Sequence, residues 1–177
     1  MNYAAIKTLD VANGPGLRTS LFVSGCTRRC KECFQPQTWD FDYGQPFTPE
    51  VMEEILDSLA PSYVAGLTVL GGEPFEPRNQ EAVAEFLALA RERYPQKSFW
   101  AFTGYTLEEL DSPLAQKILS YLDVLVDGPF QIEKKDLTLR FRGSSNQRLI
   151  DLNKTRQTGT LTLWDDGYRR GGTNGTS

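Results

Sequence analysis

The sequence predicts an α/β fold, a mostly parallel sheet bent into a partial, incomplete β/α barrel. Three observations predict it. Short aliphatic runs alternate with segments of helical periodicity, the pattern of strands joined by helical crossovers. The implied strands are too few for an eightfold barrel. The segments that carry Cys, Gly-Gly and Asp-Gly each follow a strand, and in such sheets ligands gather at the carboxyl ends of the strands. A chain of 177 residues suffices for one core, expected as a single domain over residues 1–170. The Gly/Thr/Asn/Ser-rich stretch 171–177 is expected as a flexible tail, and Arg169-Arg170-Gly171-Gly172 belongs to that terminus.

The elements follow in order. Asn13-Gly14-Pro15-Gly16 is a turn, and Leu17 to Ser24 reads as a strand that delivers the chain into the cysteine loop. After a polar linker to Pro46, Thr48 caps a helix with Pro49 at its first position. Val51, Met52, Ile55, Leu56 and Leu59 form its apolar stripe, and Pro61 stops it. Leu67 to Leu70 is a short buried strand ending in Gly71-Gly72-Glu73-Pro74. Asn79 to Tyr94 is a helix, and Ser98 to Phe102 a strand followed by Thr103-Gly104-Tyr105. Thr106 with Glu109 three residues on is a capping-box pattern, and Pro113 to Tyr121 is helical. Leu122 to Asp127 is the next strand. Further strands are expected at Leu137 to Phe141 and at Thr160 to Leu163, on either side of Arg142-Gly143-Ser144-Ser145-Asn146-Gln147-Arg148.

Composition narrows the chemistry. The net charge of −4 speaks against a nucleic-acid partner, and no apolar run reaches the length of a membrane span. Met1 to Leu9 lacks the apolar core of a signal peptide, so a cytoplasmic, reducing location is expected. The chain has no histidine, which removes the Ser-His-Asp triad, the Cys-His pair and the histidine base. Hard chemistry with so few polar groups points to a cofactor.

All three cysteines, Cys26, Cys30 and Cys33, lie in one stretch with C-x3-C-x2-C spacing. Three thiolates suit three irons of a 4Fe–4S cube, whose fourth iron then stays open for a substrate. Zinc completed by a carboxylate or by a second subunit is an alternative, and so are three free thiols. A disulfide framework needs an even count in a secreted chain. Gly71 and Gly72 at a strand end bring bare backbone close to a ligand, where their carbonyls can accept from an ammonium group. Glu73 can hold local backbone or meet the same charge, although a plain βα turn has the same sequence.

The cysteine spacing resembles the signature of the radical S-adenosylmethionine superfamily, and GGEP resembles its second motif. The GPGLR segment before the first strand is similar to that of glycyl-radical activating enzymes. RGSSNQR at 142–148 narrows the resemblance to the family that activates anaerobic ribonucleoside-triphosphate reductase. The resemblance implies a radical S-adenosylmethionine fold, with Cys26, Cys30 and Cys33 as cluster ligands. S-adenosylmethionine would be held by Glu32, Cys33, Phe34, Gly71, Gly72, Glu73 and Pro74. It further implies reduction of the cluster by a flavodoxin- or ferredoxin-type donor. The sulfonium is then cleaved to a 5′-deoxyadenosyl radical, which takes a hydrogen atom from a glycine Cα of the reductase large subunit. Glu32 stands where many of these enzymes carry an aromatic, and Phe34-Gln35 where Tyr-Asn is common; neither change touches a thiolate. A 7-carboxy-7-deazaguanine synthase-like enzyme, another glycyl-radical activase and a non-enzymatic Fe–S or zinc module are the alternatives.

Overall fold

The computed structural model describes residues 1–30, 33 and 36–165. The expected tail at 171–177 and Arg169–Gly172 lie outside the described residues. Strands β1 (Asn2–Asp10), β2 (Leu17–Val23), β3 (Gln45–Pro46), β4 (Val64–Gly71), β5 (Ser98–Phe102), β6 (Val124–Asp127) and β7 (Arg148–Asp151) form one sheet, in the order β3-β1-β2-β4-β5-β6-β7. The pairs β2/β4, β4/β5 and β5/β6 are parallel, because each connection carries a crossover helix. These are α1 (Pro49–Ser58), α2 (Pro77–Arg93) and α3 (Pro113–Ser120). The remaining pairs, β1/β2, β1/β3 and β6/β7, are antiparallel, so the sheet is mixed rather than mostly parallel. A last helix, α4 (Leu152–Thr158), follows β7 directly.

The two faces of the sheet differ. Leu21, Val23, Leu67, Val69, Phe99, Ala101 and Leu125 point to one side, where Ile55 and Leu56 of α1, Phe86 and Leu87 of α2 and Ile118 of α3 cover them in one core. Period-2 alternation sends Trp100, Val124, Val126 and Leu149 to the other side, against Phe102, Phe141 and Trp164. Trp100 meets Trp164 and Phe141 edge-on, with centroids 5.0 and 5.5 Å away. The helices thus line one face, and the other face borders a cavity.

Several expectations hold in detail. Thr48 Oγ1 accepts from Val51 N at 3.3 Å at the start of α1, with Pro49 first in the helix. Glu109 Oε1 accepts from Thr106 N at 2.9 Å, completing the capping box over a short 3-10 turn, Leu107–Glu109. Arg18, from the GPGLR segment, is fully buried at the start of β2. Its guanidinium donates to Thr68 Oγ1 (2.9 Å), Ser98 Oγ (2.8 Å) and the carbonyls of Leu67 (3.0 Å), Ser98 (2.8 Å) and Pro15 (3.1 Å). Burial draws its pKa down to about 10, so it stays charged, and its work is to tie three strands at the foot of the sheet.

Other elements differ. Residues 137–141 form turns, not a strand, because 135–144 fold back on themselves. Lys135 bridges Ser144, and Asp136 N donates to Gly143 O at 3.2 Å. Residues 160–163 make only a single bridge, Leu163 to Ile150. Helix α4 is almost wholly polar and depends on its cap, Asp151, which accepts from Lys154 N at 2.9 Å. Asp151→Ala is expected to cost about 1 kcal/mol. In a thermal melt this lowers Tm by about 2–4 °C.

Candidate functional site

The carboxyl ends of β2, β4, β5 and β6 meet at one edge of the sheet. Beyond β2 the chain is pinned as it turns into the cysteine loop. Gly25 N donates to Thr38 O (2.6 Å), and Cys26 N to Trp39 O (3.2 Å). Glu76, buried just before α2, accepts from both Thr27 N (2.8 Å) and Thr27 Oγ1 (2.7 Å). Cys33 N donates to Cys30 O at 3.1 Å, a tight turn between the second and third cysteines.

The GGEP segment is stitched to this loop. Gly72 N donates to Val23 O and Glu73 N to Gly25 O, both at 2.8 Å. Asn79 Nδ2 bridges Ser24 O (3.0 Å) and Glu73 O (3.1 Å). Gly72 must lack a side chain, since a Cβ there would stand 2.7 Å from both Gly25 O and Thr38 O, backbone atoms that cannot yield. The close approach expected of the glycines is therefore made to the protein's own loop as well as to the cavity.

Glu73 is fully buried. Its Oε2 accepts from Thr103 Oγ1 (2.7 Å) and Phe75 N (3.0 Å), and its Oε1 from Gly104 N (2.7 Å). Burial pushes its pKa up to about 7, against the pull of these bonds and of the Arg28 charge. Of the two roles expected for Glu73, the structure displays the backbone-holding one, tying β4 to β5. Asp127, also fully buried, repeats the device one strand on. It accepts from Leu107 N (2.8 Å) and from the Arg148 guanidinium (Nε 2.9 Å), and Gly128 N donates to Tyr105 O (2.8 Å). Arg148 also grips Glu108 at 2.6 Å, and its pKa is raised by these carboxylates.

A cavity of about 510 Å³ opens above these ends, within the range of ligand sites. Cys26, Cys30, Cys33, Gly71, Gly72, Glu73, Thr103 and Gly104 line it, and Phe22, Phe102, Phe130 and Phe141 extend its wall over the open face of the sheet. Each cysteine is half-buried. Burial pushes the Cys26 thiol up, partly offset by the N–H groups of Arg28 and Arg29. Of the expected site residues, the structure brings Cys26, Cys30, Cys33, Gly71, Gly72 and Glu73 to one cavity. Pro74 is buried and is not part of the lining. Glu32 and Phe34 lie outside the described residues. Glu76 and Asn79 escaped the sequence reading, which starts the helix two residues late and leaves Glu76 in a loop. Arg28 escaped it too; its guanidinium lies 4.5 Å from the Tyr105 ring and borders the cavity.

The RGSSNQR segment folds on itself and on the end of β6, and its Arg142, Gly143 and Gln147 border the cavity. Gln147 Oε1 accepts from Gly143 N (2.9 Å) and Ser144 N (3.1 Å). Asn146 Nδ2 donates to Pro129 O (2.8 Å), and Gln147 Nε2 to Gly128 O (3.1 Å). Ser144, fully buried, donates to Asn146 Oδ1 at 2.6 Å.

Residues 12–150 match a family model described as a 4Fe-4S single cluster domain. A protein of Pasteurella multocida is 42% identical over 150 residues, covering 83% of this chain and 95% of that one. It is named anaerobic ribonucleoside-triphosphate reductase-activating protein. The chain belongs to this family. Relatives of the same name from Vibrio cholerae (43% over 149 residues, 83% of this chain and 96% of theirs) and phage T4 (39% over 151 residues, 84% and 93%) agree. No solved structure matches. Membership in a 4Fe–4S cluster family supports an iron–sulfur group over zinc or free thiols. Among the described residues no helix is long and apolar enough to cross a membrane.

Proposed function

We propose that this chain activates an anaerobic ribonucleoside-triphosphate reductase by leaving a glycyl radical on its large subunit. The route is reductive cleavage of S-adenosylmethionine at a 4Fe–4S cluster held by Cys26, Cys30 and Cys33. The observation that carries the reading is the sharing of one cavity by three thiols and the Gly71-Gly72-Glu73 turn. Among the described residues no three Cys, Asp or Glu side chains converge on a single ion-sized point, as zinc would require. Two buried donors bordering this region, Arg28 Nε and Trp39 Nε1, have no acceptor among the described residues, which leaves them for a guest.

The bound group supplies one electron that splits the sulfonium and, through the adenosyl fragment, removal of a hydrogen atom from the target glycine. The chain's own residues orient and exclude. The carbonyls of Gly71 and Gly72 would hold the amino group of S-adenosylmethionine, and Glu73 fixes their loop against Thr103 and Gly104. The family resemblance assigns the adenine side to Glu32, Cys33 and Phe34, of which Cys33 lines the cavity. Phe22, Phe102, Phe130 and Phe141 wall off water. The open sheet, with helices on one face only, acts as the partial barrel of the radical S-adenosylmethionine type. The electron donor is a flavodoxin- or ferredoxin-type protein, and a reducing, cytoplasmic compartment suits the cluster.

Anaerobic reconstitution with iron and sulfide, followed by reduction with S-adenosylmethionine, tests this. We expect 5′-deoxyadenosine, and a glycyl-radical EPR doublet once the reductase is added. A fully loaded, reduced protein that leaves S-adenosylmethionine intact would make the chain an electron-transfer module instead. Cleavage without the doublet would move the target to another substrate.

A further inference from the structure

Trp39 ends a 3-10 turn, Pro36–Trp39, that lies directly against the cysteine loop. Two backbone bonds fasten the turn there, from Gly25 N to Thr38 O (2.6 Å) and from Cys26 N to Trp39 O (3.2 Å). The Arg29 guanidinium stands over the indole, 5.7 Å from its centroid. The turn is thus fastened and the ring covered by Arg29, yet its Nε1–H is buried without a partner among the described residues. Such an orphan is costly, and proteins retain few of them. An acceptor supplied by a guest removes that cost.

The position of the ring names the acceptor. A second depression is lined by Cys26, Trp39, Arg29, Phe41, Asp42 and Arg78 among others. Among the described residues, Cys26 and Trp39 alone border both this depression and the main cavity. Trp39 therefore shares with the first thiol the place where the two hollows meet. We propose that Trp39 donates its Nε1–H to a sulfur of the cluster, a sulfide or the Cys26 thiolate, and thereby raises the reduction potential. A hydrogen bond to sulfur stabilises the more negative, reduced form, and such bonds help set cluster potentials. Trp39 is a positioning and tuning residue; it touches neither the sulfonium nor the target glycine. The inference rests on the cluster reading and adds a residue to it.

The test uses the full chain, reconstituted with iron and sulfide, with no S-adenosylmethionine present. Trp39→Phe fills the same space without the donor. At a fixed applied potential its ratio of reduced to oxidised cluster is expected to fall about tenfold, equivalent to about 59 mV for one electron. In wild type labelled with indole-15N, pulsed EPR of the reduced cluster is expected to show a nitrogen coupling that the labelled variant lacks. Trp100 and Trp164 carry the label in both proteins and sit in the aromatic cluster around Phe141. Equal midpoint potentials, or no coupling in wild type, overturn the proposal. If Trp39→Phe fails to load, the wild-type coupling decides alone. A wild type that binds no iron and sulfide sinks the cluster reading itself, an outcome distinct from a loaded protein lacking the coupling.

Discussion

Cys30→Ala is expected to abolish cluster assembly and S-adenosylmethionine cleavage while leaving the fold intact. Cys30 is half-buried in a loop, and its backbone carbonyl, which accepts from Cys33 N, survives the change. No core residue packs through its side chain. The stability of the metal-free chain should therefore shift by no more than about 0.5 kcal/mol, as for an ordinary surface substitution. Bound iron and sulfide, and 5′-deoxyadenosine formed under reducing conditions, should fall to background. A variant that keeps both would refute the ligand set. A variant that loses both and also melts far below wild type would show that Cys30 supports the fold.

The second large effect falls on Glu73→Gln, through hydrogen bonding rather than volume. In the native carboxylate each oxygen faces a backbone donor, Gly104 N at Oε1 and Phe75 N at Oε2. A glutamine amide presents its NH2 to one of these N–H groups whichever way it turns. Two buried donors then face each other, at a cost of about 2–3 kcal/mol. Calorimetry should show Tm lower by about 4–10 °C. The pH profile separates this conflict from loss of charge. Burial raises the folded pKa of Glu73 to about 7, from 4.5 for the exposed group. Between those values the folded state binds the extra proton. The contribution of Glu73 is complete below pH 4.5 and is lost as pH rises through 7, by at most about 3 kcal/mol. The variant has nothing to titrate there, so its profile should lack this decline. A wild-type stability that rises between pH 5 and 7, relative to the variant, would contradict the assignment.

Where local chemistry is strong, the sequence was a good guide. Thr48-Pro49, the Thr106–Glu109 box and the buried runs of β2, β4, β5 and β6 each declare themselves through capping residues or apolar periodicity. The site was legible for a related reason: Cys, Gly-Gly and Asp-Gly follow those strands immediately. What stayed hidden depends on partners far along the chain. β1 is only partly buried, and its residues, Asn2-Tyr3-Ala4-Ala5-Ile6-Lys7, show no clean alternation; pairing with β2 and β3 makes it a strand. Leu137 to Phe141 has the composition of a strand, but the pinched neck at Lys135 and Ser144 bends it into turns. RGSSNQR read only as a mark of the family, with no role for its individual residues. Arg148 is committed to Asp127 and Glu108, a role that needs the sheet to bring residues twenty or more positions apart together.

Glu73 and Asp127 each sit at the end of one strand and hold the loop that follows another. Glu76 and Asn79 do the same for the cysteine loop. The consequence is mechanical continuity around the whole mouth of the molecule. Substitutions in neighbouring loops should not sum independently, because the first already slackens the tether that the second would cut. Retargeting such a protein to a different client polypeptide would then require exchanging several loops together, as a matched set.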